Sequence, residues 1–256
     1  MMYAIIAAGG IPQSGEPLFE LTQGKNKALL EIAGKSMIQW ELDALSGSKR
    51  IKQVIVVGLP PDTKLKCKHP VIIFDSQGSM IENVRCGSDT LLKIDSSAVY
   101  TLLLSADVPA ITSQMIDWLI DAVEGQPYEA FYTVVERSVM EKRYPNSARS
   151  YSRLKDLELC GGDVHAIAPS LASQDNPLWD RLIDARKNAR KQAALVGIDI
   201  LFNLITHRMT LAQAEEKLSR RLGMKARALL CPYAEIGMDV DKTFQFDIVS
   251  QDLSGK

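Results

Sequence analysis

Apolar and polar positions along the chain fall into blocks whose period switches between that of a strand and that of a helix. Residues 4–8 (AIIAA) form a short continuous apolar run, the pattern of a strand buried on both faces. A polar loop follows, carrying Gly9, Gly10, Gly15 and Gly24, with Lys25 and Lys27 at its exit before the apolar segment 28–32. Ser36 is placed to cap a helix whose Ile38, Leu42 and Leu45 keep helical spacing, and Ser46-Gly47-Ser48 ends it. Residues 53–58 (QVIVVG) predict a β-branched strand stopped by Pro60-Pro61. Residues 71–75 predict another strand, and residues 79–93 a helix with Ile81, Val84, Leu91 and Leu92 on one side. Residues 100–104 (YTLLL) are the most apolar strand and run straight into Ser105-Ala106-Asp107-Val108-Pro109. Thr112 or Ser113 then caps a helix bearing Met115, Ile116, Leu119, Ile120 and Val123, and residues 129–135 predict a strand.

Continuous apolar runs separated by amphipathic helices indicate a mostly parallel sheet covered on both faces. The polar, arginine-bearing stretch over about 136–160 is expected to leave that sheet. Gly161-Gly162 and residues 163–168 return to a strand. A helical elaboration is expected over about 177–222, broken at Gly197 and restarted near Thr210. Residues 225–231 and 236–241 predict strands, and residues 243–249 a closing helix. No internal repeat or linker interrupts the pattern. The expectation is one α/β domain over 1–256, with three α/β/α layers.

Composition narrows the function classes. The formal net charge is −1, so no global attraction to nucleic acid or to an anionic membrane is expected. Cys67, Cys86, Cys160 and Cys231 lie far apart. None has zinc-knuckle or redox spacing, which suits buried thiols in a reducing compartment. His69, His165 and His207 are equally dispersed. The opening decapeptide is too short for a signal peptide, and no run is long enough to cross a bilayer. The expected location is cytoplasmic.

Two stretches carry candidate chemistry. A strand that empties into a glycine loop with a lysine at its exit can cradle phosphate, because small residues let backbone N–H groups approach the oxygens. An ordinary surface loop fits the same pattern. Asp107 lies just past the carboxyl end of the most apolar strand, where open α/β sheets bind ligands. Asp239 and Asp241 sit two apart at the end of a later short strand, on one face of it. Carboxylates from separate strand ends suit Mg2+, which takes one or two of them plus substrate phosphates. Aspartates at strand ends also serve as plain turn formers.

Set in order, these pieces resemble the sugar-phosphate nucleotidyltransferase superfamily. The branch they approach includes molybdenum-cofactor guanylyltransferases and methylerythritol-phosphate cytidylyltransferase. The matching residues are Ala7-Ala8-Gly9-Gly10, Lys27-Ala28-Leu29 and Gly34-Lys35-Ser36-Met37 in the opening third. Ala106-Asp107-Val108-Pro109, Gly161-Gly162-Asp163 and Val240-Asp241-Lys242-Thr243 follow, with Asp247 further on. Residues 78–87 resemble the family's nucleotide-base segment. The chain departs from the family in lacking an arginine between Gly9 and Lys27, in a longer loop there, in Ala106 for glycine, and in a final motif without proline. Lys25 is the available substitute for the arginine.

The resemblance implies a Rossmann-like, nucleotide-diphospho-sugar transferase-like fold. It implies Mg2+-dependent transfer of an NMP group from an NTP to a small phosphorylated acceptor, with loss of pyrophosphate. Ala7, Ala8, Gly9, Gly10, Lys27, Gly78 and Ser79 would bind the nucleotide. Lys27 and Asp107 would be catalytic, and Asp107 and Asp241 would hold the metal, with Asp239 outside the ligand set. Arg143, Arg149 and Gly162 are the acceptor candidates. The polar excursion is also where the family places a dimer arm, so a homodimer is a possible assembly. Two other readings stand beside this one. One is a nucleotide-binding protein of the same fold with weakened catalysis, favoured by the missing arginine. The other is a dinucleotide oxidoreductase, which lacks support because no G-x-G-x-x-G follows the first strand.

Overall fold

The computed structural model describes residues 1–173, 176–177, 181, 197 and 207–255. Its sheet is built around the first apolar run. β1 (Met2–Ala7) is buried at every position. It lies parallel to β4 (Ile51–Val57) on one side and to β6 (Thr101–Ser105) on the other. Between them in sequence, β2 (Glu31–Ile32) and β3 (Lys35–Ser36) pair only with each other. β5 (Val71–Phe74) extends the sheet in parallel beyond β4. On the other side, β10 (Val164–Ile167) runs antiparallel between β6 and β7 (Ala130–Glu136). β11 (Ala226–Cys231) lies parallel along the opposite edge of β7. β9 (Glu158–Gly161) continues the β10 side of β7 and carries the short β8 (Ser152–Arg153).

Strand alternation divides β1 between two cores. Ala4, Ile6 and Ala8 pack with α2 (Met37–Gly47), α4 (Ser113–Val123) and the last helix, α7 (Thr243–Ser254). Tyr3, Ile5 and Ala7 pack with Val84 and Leu91 of α3 (Met80–Ile94). A strand covered on both faces needs apolar residues at both parities, which explains its unbroken hydrophobic run. The remaining helices are α1 (Phe19–Thr22), α5 (Arg137–Arg143) and α6 (Leu211–Leu222). The chain leaves β1 to one side for β4 and β5, then returns through α3 to β6 on the other side. The carboxyl ends of β1 and β6 therefore flank a topological switch point, where the crevice of an open α/β sheet opens.

Three expectations change. Residues 236–241 are not a strand. Ala234–Gly237 is a 3-10 turn, and the segment after it donates once to the sheet end, from Val240 N–H to the Asp107 carbonyl at 2.9 Å. The reason is local: it meets a tight turn after β6, not a strand edge, so no ladder can propagate. The polar excursion does not stay off the sheet, because β9 joins it and α5 packs beside it. The closing helix runs on to Ser254. Of the helical elaboration expected over 177–222, α6 is present, started by a reciprocal capping box between Thr210 and Gln213. Residues 178–180, 182–196 and 198–206 of that stretch lie outside the described residues. No helix among the described residues is long and apolar enough to cross a membrane.

Candidate active site

The loop after β1 is tied down by one side chain. Asn26 Nδ2 donates to the carbonyls of Ala8 at 2.6 Å and Gly58 at 2.9 Å. Its Oδ1 accepts the Ala28 N–H at 2.9 Å, the N-cap geometry of the 3-10 turn Lys27–Leu29. Lys27 N–H then donates to the Gly10 carbonyl at 2.8 Å. Gly58 makes this approach possible. It sits at φ +125°, and a Cβ there would lie 2.3 Å from the Gly9 nitrogen. The long loop is thus closed at its base, which aims the Lys27 side chain across the ends of β1 and β6.

Lys27, Asp107 and Asp241 meet there. Lys27 Nζ lies 2.5 Å from Asp107 Oδ2 and 2.6 Å from Asp241 Oδ1. Burial alone would lower the lysine's pKa, but the two carboxylates overcome it and hold the ammonium above the ordinary lysine range. One ammonium spans both carboxylates, so their oxygens are close enough to share one small cation. Asp107 Oδ1 is buried without a hydrogen-bond partner among the described residues. Two hard oxygen donors, one of them under-satisfied, fit a Mg2+ ion that takes its remaining ligands from phosphate and water. No group of three or more His, Cys, Asp or Glu side chains among the described residues could hold a metal unaided.

The three residues border a cavity of about 350 Å3 whose wall includes Ala7, Ala8, Gly9, Gly10 and Ser79. The N–H groups of Gly9 and Gly10 donate to no acceptor among the described residues. Gly78 lies one residue back, at φ +103°, in the turn that leads into α3. Ser79 is the N-cap of that helix, its Oγ accepting the Glu82 N–H at 3.2 Å. A second cavity of about 410 Å3 adjoins the first through Gly10, Lys27 and Asp241, and is walled by the long loop and Lys242.

The acceptor candidates separate. Arg149 is close to the cavity: it pairs with Asp239 and lies 4.0 Å from Asp163, both of which line the wall. Arg143 is elsewhere. Its guanidinium bonds Glu235 at 2.9 Å and Asp252 at 2.5 Å, fastening α5 to α7. Gly162 does not line the cavity. Its N–H donates to the Thr133 carbonyl at 2.9 Å, and a Cβ would strike Thr133 Oγ1 at 2.3 Å. Lys25 is exposed and outside the wall.

Three polar residues of the site, Asn26, Asn83 and Glu41, carry no motif of their own, and a fourth, Asp163, closes the Gly161-Gly162-Asp163 match. Asn26 had a legible signal, a capping residue directly before Lys27. Asn83 interrupts the apolar stripe of α3. Its Oδ1 accepts the Gln77 N–H at 2.7 Å, while Nδ2, buried and without a partner among the described residues, faces Gly9. Asp163 follows the glycine pair. Burial, and next the charge of Asp107, push its pKa up to about 7 against the pull of Arg149. Glu41 sits among the apolar residues of α2 and is fully buried.

The chain is similar to known proteins in sequence and in fold. The profile of the MobA-like NTP transferase domain matches residues 4–197. A hypothetical transferase from Thermus thermophilus shares 28% identity at a TM-score of 0.79, over 96% of this chain and 99% of that one. The 2-C-methyl-D-erythritol 4-phosphate cytidylyltransferase of the same organism aligns over the whole of both chains at 14% identity and a TM-score of 0.55. A CMP:2-keto-3-deoxy-manno-octonic acid synthetase complexed with CTP aligns over 100% of this chain and 99% of that one, at 15% identity and a TM-score of 0.59. The last two are similar in fold. A search of curated protein sequences finds no match.

Proposed function

Since the chain belongs to the MobA-like NTP transferase family, and so to the nucleotidyltransferases, we propose that it moves an NMP group from an NTP to a small phosphate-bearing acceptor. Mg2+ is the cofactor in this reading and pyrophosphate the leaving group. The observation that carries it is the meeting of Lys27, Asp107 and Asp241 beside the N–H groups of Gly9 and Gly10, which donate to no acceptor among the described residues.

An acceptor phosphate oxygen attacks the α-phosphorus in line. A new P–O bond forms as the bond from the α-phosphorus to the bridging oxygen breaks, and that oxygen leaves with pyrophosphate. Such a transfer asks the protein for position and charge, not for a covalent intermediate. Gly9 and Gly10 aim backbone donors at the triphosphate. Lys27, held above its ordinary pKa, stays charged and exchanges its carboxylate partners for the negative charge that builds on the leaving group. Asp107 and Asp241 would hold Mg2+, which when bound supplies Lewis-acid polarisation of the phosphates. Ser79 and Asn83 offer polar groups along the nucleotide side of the wall. Arg149, which pairs with Asp239 and lies 4.0 Å from Asp163, is the cation this reading gives to the acceptor.

The test is a screen of the four NTPs with Mg2+ against phosphorylated sugars, polyols and molybdopterin, read as pyrophosphate release. Asp107→Ala and Asp241→Ala are expected to abolish Mg2+-dependent turnover in folded protein. Full activity in both would overturn the metal assignment. Saturable NTP binding with no pyrophosphate from any acceptor would favour a nucleotide-binding protein with weakened catalysis.

A further inference from the structure

The inward face of α2 carries one charged-type side chain. Ile38, Leu42 and Leu45 pack in the core, and Glu41 is fully buried among them. Glutamate is almost never fully buried unless it is paired. Its Oε1 accepts the Val108 N–H at 3.1 Å, so the α2 side chain grips the turn one residue past Asp107. Its Oε2 is buried without a hydrogen-bond partner among the described residues, as is Asp107 Oδ1. Core filling alone accounts for none of this. Methionine would occupy similar space without the desolvation cost of a carboxyl group.

We propose that Glu41 is a positioning residue for the transfer: its carboxyl group holds the Asp107–Val108 turn from beneath and so fixes the direction in which Asp107 presents its carboxylate to the cavity. The proposal rests on the reading of Asp107 as a carboxylate of the site. Asp107 is then held on two sides. Lys27 meets its Oδ2 from the cavity, and Glu41 holds the backbone behind it. Val108 is fully buried in the core and the Asp107 carbonyl accepts the Val240 N–H at 2.9 Å, so the Glu41 bond is the side-chain member of the contacts that fix the turn. Burial, and next the charge of Asp107, raise the pKa of Glu41 well above the ordinary carboxylate range. A glutamine amide keeps a side-chain oxygen at the same reach to accept the Val108 N–H.

Three variants test this: Glu41→Gln, Glu41→Met and Glu41→Asp, the last keeping the carboxyl but retracting it by one methylene. Each is measured for folding by circular dichroism, for kcat and NTP KM by pyrophosphate release, and for Mn2+ affinity of the enzyme alone by electron paramagnetic resonance. The Gln variant is expected to stay within about threefold of the parent in every measure. The Met and Asp variants are expected to lose about 10–100-fold in kcat and in Mn2+ affinity, the cost typical of outer partners of metal ligands, with NTP KM changed by less than about threefold. A folded Met variant with parental kcat and Mn2+ affinity would overturn the proposal, and so would a Gln variant as impaired as Met. If Met fails to fold, the Asp variant decides, and parental behaviour there refutes the role. Failure of the underlying reading looks different: Asp107→Ala would then itself keep parental Mn2+ affinity and turnover.

Discussion

Removing the ammonium of Lys27 separates what that residue does for the fold from what it does for the reaction. In Lys27→Met the stem is replaced by a side chain of similar reach and the charge is gone. Asp107 has a side chain only 7% exposed and is left as an uncompensated buried carboxylate, whereas Asp241, at 56%, is left facing water. Breaking a buried pair by removing one partner costs about 3–5 kcal/mol, and an exposed pair contributes about 0–1 kcal/mol. Lys27 is itself 20% exposed, so the lower end of the first range applies and the expected loss is about 3 kcal/mol. For a chain of this size that lowers Tm by about 6–12 °C. The double variant Lys27→Met, Asp107→Asn removes the stranded charge and is expected to recover all but about 1 kcal/mol. Urea unfolding in metal-free buffer at pH 7.5 measures each step, provided m stays constant. Turnover behaves otherwise. Loss of a donor aimed at developing charge costs about 10^2–10^3 in kcat, and the double variant must stay inactive. If Asp107→Asn does not rescue the stability of Lys27→Met, the buried-charge argument is wrong. If the single variant keeps kcat, Lys27 is not in the transfer.

Gly58→Ala places a Cβ within 2.3 Å of the Gly9 nitrogen at a φ of +125°; a loss of about 3 kcal/mol or more and a raised NTP KM are expected, and parental KM would show that the loop base does not shape the nucleotide wall. Asp163 has an ordinary pKa of 3.8 when unfolded and about 7 when folded, so between those values the folded protein holds a proton that the unfolded chain has lost. Its contribution to stability therefore falls as pH rises from about 4 to 7 and stays low above. Asp163→Asn should gain on the parent over that window by up to about 4 kcal/mol, less screening at its partly open side chain. Thermal unfolding in metal-free buffer from pH 4.5 to 8 checks this, and a pH-independent difference would contradict it. Arg143→Ala should lower stability by about 1–2 kcal/mol through the lost Glu235 and Asp252 bonds while leaving acceptor KM within about twofold; a tenfold rise would return Arg143 to the acceptor site.

Much of the architecture was legible because burial on two faces leaves a mark in one dimension. A strand such as β1 must be apolar at both parities, and a helix such as α4 at helical spacing, so the order of elements follows from pattern. Lys27, Asp107 and Asp241 were legible for a related reason. Each stands next to such a mark, at the exit of a glycine loop or past the end of an apolar segment. Residues 236–241 carry a strand-like pattern without forming one because a strand is defined by its partner, and the partner here is the turn after β6. Arg143 and Arg149 look alike in sequence, both cationic in a polar stretch. Only the chain's return through α5 and the segment after it separates a clamp on α7 from a neighbour of Asp163.

The two helix residues that pattern passed over share one property: Asn83 and Glu41 are polar groups in places that exclude water. On a helix stripe, a polar residue reads as a lapse in periodicity and is assigned to the surface. The physical cost argues the opposite. Burying an unpaired amide or carboxyl costs several kcal/mol, comparable to the whole stability margin of about 5–15 kcal/mol of a domain. A chain retains such groups where something else depends on them. Both adjoin Asp107 or the Gly9 loop: Glu41 bonds the backbone N–H after Asp107, and Asn83 faces Gly9. Lapses in an apolar stripe that converge on one sheet edge are therefore a signal in their own right. In this chain they mark the same switch point as the glycine loop, reached from the opposite side of the core.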